Sequence, residues 1–140
     1  MKLNTFSFKP GTGWSVANFP AMDSKQTLVI VFAAPEFIDH PDPLSALVDA
    51  YPESKLIGCS TSGEISGPFV NDASLSVAVV QFEHSDIAVV SAEIKQAADS
   101  RAAGEQLARQ LGGKNLCAVF VLSDGLAVNG SELVKGLNSA

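Results

Sequence analysis

The run Thr27 to Ala33, TLVIVFA, limits the fold more than any other stretch of this chain. Its residues are apolar or β-branched without interruption, so no polar face remains. That pattern predicts a strand buried on both faces, as in a parallel sheet. Asp39 or His40 then predicts a helix cap, with Pro41 at the first helical position. Leu44, Leu47, Val48 and Tyr51 recur at helical spacing, and Pro52 ends the pattern. Lys55 to Cys59 reads as the next strand. Strand, helix and strand with short links make a βαβ unit, whose strands pair in parallel through a right-handed crossover.

Around this unit the chain offers further elements. Leu3, Phe6 and Phe8 predict a first short strand, Gly11-Thr12-Gly13 a turn, and Trp14 and Phe19 core anchors. Pro68 and Asn71-Asp72 mark turns. Leu75 to Phe82 and Ile87 to Ile94 read as two strands, and the four residues Glu83-His84-Ser85-Asp86 between them predict an antiparallel hairpin. Asp99 or Ser100 caps a helix with Ala103, Leu107 and Leu111 as its buried stripe. Arg101, Glu105 and Arg109 form a solvated ladder on another face, and Gly112-Gly113 stops the helix. Leu116 to Leu122 reads as another buried strand, completing a second strand–helix–strand unit. Asn129-Gly130-Ser131 precedes a last amphipathic turn with Leu133, Val134 and Leu137. The expected fold is α/β: a mixed β-sheet with βαβ crossovers and one antiparallel hairpin, flanked by helices. The last helix has just begun at Ala140, so residues 1–140 are expected to form a single, incomplete domain.

Composition narrows the function. A chain of 140 residues fits one domain. Its charged fraction of 17% lies below the ~25% of ordinary soluble domains, which argues for a large core and against disorder. A net charge of −6 with no Lys/Arg cluster argues against nucleic acid. The longest apolar run, Leu28 to Ala34, is far short of the ~20 residues that span a bilayer, so no membrane association is expected. Two cysteines make no disulfide framework and the N-terminus has no signal-peptide core, so the expected compartment is the cytoplasm.

Chemistry is concentrated at two polar loops. After Leu56-Ile57 come Gly58, Cys59, Ser60, Thr61, Ser62, Gly63 and Glu64. After Leu122 come Ser123, Asp124 and Gly125. Both follow strands, and open parallel sheets bind ligands beyond the carboxyl ends of their strands. Backbone N–H groups and hydroxyls suit a carboxylate; Glu64 and Asp124 suit an ammonium. A free amino acid carries both, which makes it a candidate ligand if the loops converge. Cys59 has two readings, a buried structural thiol or a nucleophile needing a nearby base or cation. Cys117 reads as core. His40 and His84 are isolated, with no metal spacing, and either one alone is a weak signal for an axial haem ligand. The motif lacks the Gly-Lys-Ser/Thr ending of a phosphate-binding loop and the spacing of a nucleophile elbow.

Leu56-Ile57-Gly58-Cys59-Ser60-Thr61-Ser62-Gly63-Glu64-Ile65 resembles the hallmark of the FIST N-terminal domain family. Val121-Leu122-Ser123-Asp124-Gly125-Leu126, with Asn129-Gly130 after it, resembles the family's second motif. The similarity extends over most of residues 24–137. It implies a non-enzymatic, small-ligand-binding sensory domain of bacterial signal transduction, with amino acids among the proposed ligands. Implied partners are a histidine kinase, a cyclic-di-nucleotide enzyme or a chemoreceptor. Some members are nitric-oxide-sensing haem proteins, so a haem sensor is one alternative; no motif carries its ligand onto His40 or His84. An enzyme using Cys59 as nucleophile is another, and an interaction module a third. The family continues beyond the length of this chain, so the resemblance implies a fragment, and self-association through exposed apolar surface is expected.

Overall fold

The Thr27–Ala33 run forms a strand, but only one of its faces is sealed. Thr27, Val29 and Val31 are fully buried, whereas Leu28, Ile30 and Phe32 are half-buried. The computed structural model describes residues 1–112 and 116–139, which fall into two units, Met1–Ile87 and Ala88–Ala140.

The first unit holds strands β1 (Lys2–Lys9), β2 (Gly13–Trp14), β3 (Thr27–Ala33), β4 (Lys55–Ser60), β5 (Glu64–Ser66), β6 (Phe69–Asn71) and β7 (Leu75–Gln81), with helix α1 (Asp42–Ala50) between β3 and β4. A 3-10 turn, Pro35–Ile38, leads into α1, which starts one residue later than the sequence suggests, with Pro41 as its N-cap. Five strands form a mixed sheet in the order β2-β1-β7-β3-β4, and β5 and β6 make a small antiparallel sheet of their own. The fold is α/β. β3 and β4 pair in parallel from Leu28↔Lys55 to Ala33↔Ser60, as the βαβ reading requires; every other pair is antiparallel.

One face of the sheet carries the core. Phe6, Val29, Val31, Leu75, Val77 and Val79 meet Leu47 and Tyr51 from the helical side, with Met22 and Phe37. An aromatic cluster closes one end: Trp14 lies edge-on to Phe8, Phe6 and Phe19, with ring centroids 5.1, 5.6 and 4.9 Å away. Such contacts add to the area they bury because a ring's positive edge meets a negative face.

The second unit contains helices α2 (Ser100–Leu111) and α3 (Gly130–Leu137). α2 buries Ala103, Gly104, Ala108 and Leu111, with Leu107 half-buried. The expected ladder reduces to an exposed Arg101–Glu105 pair at 3.5 Å, of the kind that contributes little to stability. Asn129 caps α3, its side-chain oxygen accepting from the Glu132 N–H. Gly113, half of the expected helix stop, lies outside the described residues.

Two expected strands are corrected. Residues 87–94 are not a strand, because both edges of β7 are already occupied by β1 and β3 and no hairpin partner position remains. The antiparallel hairpins are β1–β2 and β5–β6 instead. Residues 116–122 are not a strand either, since among the described residues the second unit offers no other strand to pair with. Cys117, expected in the core, is exposed. Among the described residues no helix is long and apolar enough to cross a membrane.

Candidate functional site

The motif loop grows out of β4, the edge strand of the sheet. Gly58 lies opposite Val31, and a Cβ on it would stand inside contact distance of the Val31 carbonyl oxygen. Glycine is therefore required for β4 to approach β3 this closely. Cys59 lies opposite Phe32, half-buried, and Ser60 ends the strand beside Ala33, exposed. The chain then turns. The Thr61 N–H still donates to the Ala33 oxygen at 2.9 Å, Ser62 is exposed, and Gly63 has φ +147°, a conformation that side-chain-bearing residues rarely adopt.

Glu64 anchors this turn. It is 1% exposed, and its carboxylate accepts three hydrogen bonds from within the unit. The Thr61 hydroxyl donates to one oxygen at 2.7 Å; the Ser74 N–H and hydroxyl donate to the other at 3.1 and 2.8 Å. A buried carboxylate is tolerated only when donors replace its water, and these three do so. The consequence is mechanical as well as electrostatic. Ser74 immediately precedes β7, so Glu64 ties the motif loop to the start of a central strand.

Thr61, Gly63 and Glu64 line a cleft of about 320 Å³, with Phe32 and Ala78 on the sheet and Ile65 and Ser76 beside them. The Ser76 hydroxyl is turned to the Ile65 carbonyl at 2.7 Å, which fixes the base of the β5–β6 hairpin against β7. The cleft thus combines apolar walls with hydroxyls and one carboxylate, the composition expected of a small-molecule site. Sequence reasoning found Thr61, Gly63 and Glu64 but missed Phe32, Ser74, Ile65, Ser76 and Ala78. Ile65 closes the quoted motif and Phe32 lies in the opening apolar run, but nothing local marks Ser74, Ser76 or Ala78 as part of a site.

Ser123, Asp124 and Gly125 belong to the second unit and are exposed. Asp124 caps its own turn: its carboxylate accepts from the Leu126 and Ala127 N–H groups at 2.6 and 2.7 Å. These bonds, Ala127's first, hold the Asp124 carboxyl below its usual acidity range. The sign follows from linkage. A folded-state value below the unfolded one gives stability that is present above the unfolded value and lost as pH falls through the folded one. Acidification past the ordinary aspartate range is therefore expected to release this turn. Amide chemical shifts of Leu126 and Ala127 should titrate together there, and Asp124→Asn should abolish that titration; shifts unmoved by acid would contradict it.

His40 and His84 line no part of the cleft. Among the described residues no group of three His, Cys, Asp or Glu side chains is placed to hold a metal. The FIST N domain family model matches residues 27–140, a span that includes both loops. No curated protein and no solved structure matches the chain.

Proposed function

Because the chain belongs to the FIST N domain family, a family of sensory domains of signal transduction, we infer that it senses a small molecule held in the cleft beneath the motif loop. The observation that carries this reading is the meeting of Thr61, Gly63 and Glu64 at one cleft. The site is non-enzymatic in this reading: its polar groups are tied to one another rather than poised to transfer protons. The ligand class it supports is a small amine-bearing molecule, an amino acid above all. The ammonium faces the Thr61 hydroxyl oxygen, with the buried Glu64 carboxylate as the charge behind it, and an apolar side chain rests on Phe32, Ile65 and Ala78. The output goes to a signalling partner such as a histidine kinase, a cyclic-di-nucleotide enzyme or a chemoreceptor.

Thermal unfolding against a panel of amino acids and haemin tests this. A ligand at 100 times its dissociation constant adds about 2.7 kcal/mol of stability, a readily visible shift in midpoint. Thr61→Val keeps the side-chain shape and removes the hydroxyl. It is expected to erase most of the ligand-dependent shift, measured against the variant's own baseline. An undiminished shift in Thr61→Val, with Asp124→Ala abolishing it instead, would move the site to the second loop. A shift with haemin alone, accompanied by an ordered absorbance band, would replace the reading with a haem sensor.

A further inference from the structure

A second groove in the first unit shares no residue with the cleft and has no role in the reading above. It measures about 300 Å³ and lies where the end of β1 meets the 3-10 turn and the start of α1. Phe8, Phe37 and Pro43 give it an apolar floor, with the two phenyl rings edge-to-face at 5.9 Å. Glu36, His40 and Asp42 border it, and all three are exposed. Among the described residues none of these three side chains makes a hydrogen bond or an ion pair, so no side chain pairs either carboxylate at the rim of this apolar floor.

That pairing selects a ligand class. An organic anion meets two like charges on a chain that is already at −6. A neutral apolar molecule gains the floor but leaves the carboxylates unused. A cation with an apolar body satisfies both, since the floor takes the body and the carboxylates attract the ammonium. The volume is at the small end of ligand pockets. We propose that this groove binds a small organic amine, its apolar body on Phe8, Phe37 and Pro43 and its ammonium beside Glu36 and Asp42.

The chain's one tryptophan provides the readout. Trp14 lies edge-on to Phe8 with centroids 5.1 Å apart, so its fluorescence reports on the groove's floor. The test is a titration of the chain with 2-phenylethylamine, with 2-phenylethanol and 3-phenylpropionate as uncharged and oppositely charged counterparts. The amine is expected to change Trp14 emission saturably, the alcohol to bind more weakly and the carboxylate not to bind. The double variant Glu36→Gln/Asp42→Asn alters only exposed side chains, and the loss of Asp42's charge from the first turn of α1 is expected to lower the melting midpoint only slightly. It is expected to weaken the amine about tenfold, which is 1.4 kcal/mol, while leaving the alcohol's affinity unchanged. Equal affinity for amine and carboxylate, an unchanged amine affinity in the double variant, or no saturable response to the amine would overturn the proposal.

Discussion

Replacing Glu64 with alanine is expected to lower the unfolding free energy by roughly 3–5 kcal/mol, a large part of what a domain this size has. The change strands three donors at once. The Ser74 N–H, the Ser74 hydroxyl and the Thr61 hydroxyl all lose their acceptor. Ser74 is itself 1% exposed, so water does not readily replace the carboxylate there. Glu64→Gln separates charge from shape. An amide oxygen still accepts from Ser74, and its NH2 can donate to the Thr61 hydroxyl, so the loss should fall to about 1–2 kcal/mol. Chemical denaturation of both variants measures the difference. A Glu64→Ala chain as stable as the parent would mean that the carboxylate does not hold the motif loop.

The second large effect concerns the helix pair. Gly→Ala in an ordinary helix interior adds up to about 1 kcal/mol, because alanine is the better helix former. At Gly104 the sign is expected to reverse, with a loss of about 3 kcal/mol. A Cβ there would collide with the Leu133 oxygen and stand 2.8 Å from the Leu137 nitrogen and 2.9 Å from the Gly136 Cα. All three are backbone atoms of α3, so no rotamer change relieves the contact and the helices must part. Gly136 is crowded in return by the Arg101 oxygen and the Glu105 nitrogen of α2. Amide hydrogen exchange across α2 and α3 reads the result directly. Faster exchange in Gly104→Ala is the expected outcome, and a stabilised α2 would show that the two helices do not pack through these glycines.

Local patterns in the sequence revealed much of this architecture, and pairings between distant segments did not show there. The βαβ unit was legible because its signals are contiguous: an apolar run, a helical stripe with prolines at its ends, and a second run. The hairpin expected after β7 fails for a reason outside its own residues, since β1, some seventy positions earlier, takes that edge along Lys2↔Gln81 to Phe8↔Leu75. Alternation tells a strand which face is apolar; it says nothing of which neighbour arrives first. The site divides the same way. Gly58 to Glu64 stand out as a polar break after a strand, yet the partner that fixes Glu64 is Ser74, a residue type with no distinguishing context. Glu64 was expected to offer its charge to a ligand, and its carboxylate is largely engaged by the chain's own hydroxyls. Residues 116–122 look like a strand by composition, but Val119, Phe120 and Val121 are exposed and unpaired to any described strand of their unit.

The motif loop and the sheet beneath it are the proposed ligand site of this sensory domain. Nitrogen–proton correlation spectra of the chain, recorded with each amino acid that shifts the melting midpoint, read that assignment residue by residue. Perturbations are expected to gather at Thr61, Gly63, Ser76 and Ala78 and to grow saturably with ligand. Perturbations confined to other residues, with these four amides unmoved at saturation, would contradict it.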